Sequence, residues 1–467
     1  MAEAARSERA GRPRRPGTGA AAGTSPRRIA LEILWRVETT DAYANLLLDA
    51  RLRRADLSPA DRALATELTY GVLRLRGRLD WMLQAVLDRP LAALEPVVRL
   101  LLRLGAYQLR CLTRVPAFAA VDEAVRLARS LGAARSAGYV NAVLRSLTRQ
   151  ASPPEPDPGS DPIAYWASVG SHPGWLATRW TLRLGLEEAA RLMAGNNAAP
   201  PLTVVTNRLR TQPDAVRRAL EAAGLDFAVS EWLPGAFRLR GAGSPAELPG
   251  FAEGHLIPMD EAGALPVLCL DLGEGGRVLD ACAGGGSKSA LIAAAVGSRG
   301  EVLALDRSPR AMRRLGAAMA RLGATGVRPL QGDAREAGAA WPGAFPRVLV
   351  DAPCTGLGTI RRRPEIKWRR QPEDLGRAAA LQGELLAGAA GAVAPGGLLV
   401  YSTCSLEPEE TDAVIAAFRA AHPEFSPEDP GPALREFADP AAPGMLRAWP
   451  QRHGTDGFFV ARLRRAT

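Results

Sequence analysis

The chain has 467 residues, 47% of them apolar, and a formal net charge of +10. That is more than one ordinary domain, with enough apolar content for several cores, and no uncharged apolar run is long enough to span a bilayer as a helix. Five cysteines, odd in number and without close pairing, argue against a disulfide framework or a zinc site and fit a reducing cytoplasm; the positive charge favours a polyanionic partner.

Residues 1–27 are rich in Arg, Ala, Gly and Pro but lack a continuous apolar stretch, so they read as a disordered basic tail rather than a secretory signal. Residues 28–150 carry a helical pattern throughout, with Val97, Leu101, Leu104 and Leu109 recurring near helical spacing to give core-facing stripes. Pro153, Pro154, Pro156, Pro158 and Pro162, interleaved with Ser, Asp and Gly, predict a linker over 151–171. Residues 172–258 predict a small α+β subdomain: a helix, a strand over 202–205, a helix over 212–223 and a strand over 237–239, with Asn207 and Arg208 at the end of the first strand.

From residue 259 to 467, strands near 277, 301, 327, 347 and 397 alternate with helices near 288, 309, 373 and 411. That alternation predicts an α/β domain with a mostly parallel, seven-stranded sheet, closed by a terminal hairpin of 445–449 and 458–463. The first of these strands runs into Cys282-Ala283-Gly284-Gly285-Gly286-Ser287-Lys288. Glycines let backbone approach a ligand closely, and the helix that follows offers unpaired N–H groups. Alone the loop has little specificity, but Asp306 ends the next strand, where an acid accepts hydrogen bonds from ribose hydroxyls, and Asp333 and Asp351 follow the third and fourth. Each aspartate alone reads equally well as a turn or cap residue. Loop and acids together describe a class I, Rossmann-like methyltransferase that binds S-adenosyl-L-methionine.

Two thiols sharpen this. Cys354, in Asp351-Ala352-Pro353-Cys354, and Cys404, in Ser402-Thr403-Cys404-Ser405, each stand where an apolar strand gives way to a loop, the place where open α/β sheets collect their chemistry. A lone cysteine is most often a small core residue, which is how Cys111 and Cys269 read, and Cys282 belongs to the glycine loop. The run Arg361-Arg362-Arg363-Pro364-Glu365-Ile366-Lys367-Trp368-Arg369-Arg370 follows closely after Cys354 and predicts a surface that pairs phosphate and stacks a base, the alternative being a solvated charge run.

With Asp-Ala-Pro-Cys after one strand and Thr-Cys-Ser after the next, the C-terminal half resembles the RNA 5-methylcytosine methyltransferases. Tyr70-Gly71-Val72-Leu73-Arg74, Leu104-Gly105-Ala106-Tyr107-Gln108-Leu109 and Tyr139-Val140-Asn141-Ala142-Val143-Leu144-Arg145 resemble a NusB-like RNA-binding domain. The two together, from about residue 28 to 464, resemble the bacterial 16S ribosomal RNA enzymes of the RsmB/Sun type. One departure is Gly285, which stands where that family has proline. The freer loop should cost about 0.5–1 kcal/mol more to order.

The resemblance implies a cytoplasmic, metal-independent monomer acting on small-subunit ribosomal RNA, with the subdomain over 172–258 helping to hold it. Carbon 5 of cytosine is a poor nucleophile, so a thiolate must first add at carbon 6. The resemblance gives that role to Cys404 and release of the product to Cys354, although spacing alone permits the reverse. Asp351 is placed to polarise the cytosine edge; Lys288 and the sulfonium are the positive charges that would favour the thiolate. Cys282, Ala283, Gly284, Gly285, Gly286, Ser287, Lys288, Asp306, Asp333 and Asp351 are the expected cofactor contacts. Two other readings remain: the same chemistry on transfer RNA or another ribosomal cytosine, and a non-catalytic RNA-binding factor.

Overall fold

The computed structural model describes residues 25–241 and 243–467. Ser25 accepts a hydrogen bond from the Arg28 amide and Pro26 occupies the first turn, so a helix starts at Pro26 (Pro26–Thr39). The tail expected over 1–27 therefore stops short of Pro26, and its residues 1–24 lie outside the described residues.

Two compact units divide the chain, one running to Met193 and including Arg363–Trp368, the other comprising Ala194–Arg362 and Arg369–Thr467. In the first, helices Pro26–Thr39, Ala44–Leu52, Pro59–Arg74, Arg76–Gln84, Pro96–Cys111, Ala117–Ser130 and Ala137–Arg149 share one aliphatic core. The motifs read from its sequence meet there. A Cβ on Gly71 would fall 2.0 Å from the Tyr107 ring, and one on Gly105 2.5 Å from Leu144, so both glycines let helices close on bulky neighbours. Buried Arg103 forks onto Asp80 at 2.7 and 2.8 Å and reaches Glu38 at 3.0 Å. The stretch expected as linker holds a short helix, Pro162–Ala167, capped by Asp161. Pro162 starts that helix rather than breaking structure, because proline at N1 gives up no needed hydrogen bond.

In the second unit the α+β portion is a four-stranded antiparallel sheet: β1 (Leu202–Thr206), β2 (Phe227–Val229), β3 (Ala236–Leu239) and β4 (Leu256–Pro258), ordered β2-β3-β1-β4. β2 and β4 are three-residue edge strands, too short to leave a periodic signal. The larger sheet contains β5 (Arg277–Asp280), β6 (Glu301–Asp306), β7 (Val327–Gln331), β8 (Phe345–Asp351), β9 (Val393–Thr403), β10 (Phe425–Pro427), β11 (Met445–Ala448) and β12 (Phe458–Arg465). Its order is β10-β12-β9-β8-β5-β6-β7, with β11 also on β12. Seven strands were expected, and among the described residues the sheet has eight: the outer flank of β12 is shared by β11, on 458–461, and β10, on 463–465. The expected hairpin forms, but β12 lies inside the sheet, antiparallel to β9.

β5 to β9 pair in parallel, so their carboxyl ends share one edge. Val278, Val302, Leu349, Val400 and Val460 face one core, and Leu279, Leu305, Val348, Val350, Leu399 and Phe459 the other. Burial on both faces explains the near-continuous aliphatic runs.

Candidate active site

β5 ends at Asp280, β6 at Asp306, β8 at Asp351 and β9 just before Cys404, all on the one edge. Register sets Asp351 opposite Ser402, whose hydroxyl donates to Asp351 Oδ1 at 2.8 Å. Because β12 is antiparallel to β9, its first residue, Phe458, arrives at the same edge, and Lys288 Nζ sits 5.1 Å from that ring.

Cys354 and Cys404, fifty residues apart, meet with their sulfurs 3.1 Å apart. The hydrogen bond to Cys404, and then burial, hold the Cys354 thiol well above the usual range, so Cys354 stays protonated. Lys288 Nζ donates to Asp351 Oδ2 at 2.6 Å. Burial alone would lower the Lys288 pKa, but Asp351 outweighs it and the net direction is upward. Lys288 is thus bonded to Asp351, and Cys404 adds to the rise in its pKa, as expected of a cation near that sulfur.

The glycine loop is built around two left-handed residues. Gly284 has φ +56° and Gly286 φ +85°, and a Cβ on Gly286 would stand 3.0 Å from Leu315 and Met319. Exposed Gly285 has open space around it and no positive φ. Gly286 caps the helix Ser287–Val296, while Asp306 Oδ2 accepts the Gly284 amide at 2.9 Å and Oδ1 that of Ser308 at 2.8 Å. Ala283 and partly exposed Cys282 line the loop, and Ser287 faces solvent. Asp333 is held by the Arg335 amide at 3.0 Å and its guanidinium at 2.7 Å, which keeps its pKa below the usual carboxylate range.

Burial, and then Asp280, Asp351, Asp306 and Asp333, push the Cys282 thiol upward. Four carboxylates therefore act on the loop, Asp351 paired with Lys288 and Asp333 with Arg335, leaving Asp280 and Asp306 without a cationic partner in an ion pair among the described residues. That field, beside a cradle floored by left-handed glycines, fits a ligand carrying both sulfonium and ammonium charge.

Sequence reasoning passed over Glu410 and Gln382, both fully buried. Glu410 Oε1 accepts the Thr355 amide at 2.8 Å and Gln382 Nε2 at 2.9 Å, and its Oε2 accepts the Ser405 hydroxyl at 2.6 Å and that of Thr355.

The basic run proves structural. Arg361 is 6% exposed and donates to the Gly454 and Thr455 carbonyls; Arg362 lies between Asp260 and Asp456; Arg370 donates to Thr355 O at 2.7 Å. In the first unit, Lys367 is fully buried and donates to Arg74 O at 2.9 Å, and Trp368 Nε1 donates to Leu73 O at 2.7 Å. Arg363 alone keeps an exposed side chain. Asn207 is likewise committed, donating to the Gly254 and Leu322 carbonyls at 2.8 Å each.

Glycine loop, strand-end acids, parallel sheet and antiparallel β12 define a Rossmann-like methyltransferase domain. Residues 267–464 match the model of the 16S rRNA methyltransferase RsmB/F family, 24–149 that of the NusB family and 172–245 a ferredoxin-like domain of RsmF/B-like methyltransferases. The Probable ribosomal RNA small subunit methyltransferase B of Bacillus subtilis is 37% identical over 95% of this chain and 99% of its own length. Ribosomal RNA small subunit methyltransferase B of Pseudomonas putida is 35% identical, covering 94% and 98%. The crystal structure of PH0851 superposes with a TM-score of 0.83 over 95% of this chain and 99% of that one, at 26% identity. This chain belongs to the RsmB/F family of 16S rRNA methyltransferases.

Proposed function

We propose that this protein methylates carbon 5 of a cytosine in small-subunit ribosomal RNA, through a covalent adduct on Cys404. The observation that carries the reading is the 3.1 Å contact between Cys354 and Cys404 beside Asp351. Two thiols and a carboxylate at one sheet edge are what addition to and release from a pyrimidine ring need. The relatives named above support the substrate, since both carry small-subunit ribosomal RNA in their names.

Residues 282–287, at the amino end of the helix Ser287–Val296, would hold the cofactor together with Asp306 and Asp333. When bound, S-adenosylmethionine supplies an electrophilic methyl group. The Cys404 sulfur adds to carbon 6 of the cytosine, and the displaced electron pair gives carbon 5 its nucleophilicity. Cys354, protonated and in contact with Cys404, offers an S–H to the neighbouring sulfur, which lowers the cost of a thiolate there. Asp351, oriented by Ser402 and Lys288, accepts from the cytosine amino group, or from N3 when that atom carries a proton. Once carbon 5 carries the methyl, its proton leaves to water with Cys354 assisting, the carbon–hydrogen pair restores the double bond between carbons 5 and 6, and the carbon–sulfur pair returns to Cys404 as the thiolate. The base must be presented face-on, from a single strand or extruded from its stack.

The test is transfer of labelled methyl to protein-free small-subunit ribosomal RNA, with nucleoside analysis. We expect 5-methylcytidine; another methylated nucleoside would refute the chemistry. Cys354→Ala should accumulate a covalent RNA adduct and Cys404→Ala should form none. The reverse pattern would exchange the two roles.

A further inference from the structure

We infer that Glu410 is a positioning residue, which holds the loops bearing Cys354 and Cys404 together through hydrogen bonds to the residues that flank the two thiols. Thr355, bound through both amide and hydroxyl, follows Cys354; Ser405 follows Cys404; and Gln382, whose Nε2 also donates to Pro353 O at 3.0 Å, reaches the residue before Cys354. One carboxylate therefore bridges two loops that no β ladder joins beyond the Asp351–Ser402 pair.

Glu410 is 0% exposed, and among the described residues no Lys, Arg or His pairs with it. A buried carboxylate without a countercharge is costly unless its lone pairs are filled, and here four donors fill both oxygens. Its own backbone is anchored as well, because the Tyr401 hydroxyl donates to Glu410 O at 2.8 Å. The Thr355 amide and Gln382 Nε2 can only donate to the Glu410 carboxylate, whereas the Thr355 and Ser405 hydroxyls could turn and accept from an amide, so it is removal of the side chain, in Glu410→Ala, that takes away the bridge.

The inference rests on the two thiols acting together, as proposed above, but its test does not depend on methyl transfer. Diamide, an azodicarboxamide, takes up two electrons and two protons to become its hydrazine while two thiols form one disulfide. Sulfurs 3.1 Å apart are about 1 Å from bonding distance, so the full-length protein should form the Cys354–Cys404 bond readily. Peptide mapping would follow its rate in wild type and in Glu410→Ala, which should be slowed about tenfold. Turnover for methyl transfer should fall while the KM for RNA holds. If Glu410→Ala does not fold, Ser405→Ala and Thr355→Val, each removing one hydroxyl, replace it. A slowing of threefold or more in a folded variant supports the role; less than threefold overturns it, whatever the RNA assay gives.

Discussion

Asp280 ends β5 fully buried, with the Ser289 hydroxyl on Oδ2 at 2.6 Å. Burial pushes its pKa up to about 6; Asp351 adds to the rise, while Ser289 and Lys288 oppose it. An acid whose folded pKa lies above its unfolded value of 3.8 favours folding while it is protonated. Between about pH 4 and pH 6 the folded chain keeps a proton that the unfolded chain releases, so this group's contribution to stability declines with rising pH and is fully adverse above pH 6. The cost is on the order of 3 kcal/mol at most. Asp280→Asn keeps an acceptor for Ser289 and removes the charge, so it should raise Tm at pH 8 and change it little at pH 4. Equal shifts at both pH values would mean that the carboxyl does not titrate in this window. That Asp306, Asp351, Cys354 and Cys404 share one edge was legible in the sequence because parallel strands gather their carboxyl ends there; Asp280, which ends β5 on the same edge, was passed over. Glu410 was not, because a glutamate in Glu407-Pro408-Glu409-Glu410 reads as solvated until the Thr355 and Ser405 donors are seen around it.

The turn between β5 and its helix shows how unequal three successive glycines are. Gly286, at φ +85°, stands against Leu315 and Met319, whereas Gly285 meets nothing and has an ordinary φ. Gly285→Ala should therefore hold or raise stability by about 0.5 kcal/mol, through the entropy it removes from the unfolded chain. Gly286→Ala should lower stability by about 1–2 kcal/mol, since a left-handed residue gains a Cβ with no room for it. Urea unfolding of both variants checks this, and equal effects would remove the distinction between the two positions. Elements with long periodic patterns were readable: the helical character of 28–150, and the strands and helices of the large sheet apart from three-residue β10. Three-residue β2 and β4 and the helix Pro162–Ala167 were not, because their form follows from pairing and capping rather than from periodicity.

On the scale of the whole chain, a cluster of cations in the sequence over-predicts free cationic surface wherever its side chains are turned onto carbonyls and carboxylates of the fold. The run 361–370 is the clearest case, read from its charges as a nucleic-acid face and found largely buried. Its middle six residues, Arg363–Trp368, leave the sequence of the second unit to fold into the first. There Glu365 accepts the Ala44 amide at 3.0 Å, Lys367 and Trp368 donate to the backbone of 73–74, and the Arg76 guanidinium lies 5.2 Å from the Trp368 ring. Burial, and then Arg74, push the Lys367 pKa well below the ordinary ammonium value. No periodicity encodes a six-residue excursion of this kind; it follows from which side chains find carbonyls. Trypsin needs several residues of extended, accessible chain around the bond it cuts, so the Lys367–Trp368 bond should resist cleavage in the full-length protein. In a fragment of 194–467 the partners from residues 44 and 73–76 are gone, and the same bond should be cut at least tenfold faster. Mass spectrometry of the digest identifies the site, and cleavage at equal rates in both proteins would mean that the segment is not seated as described.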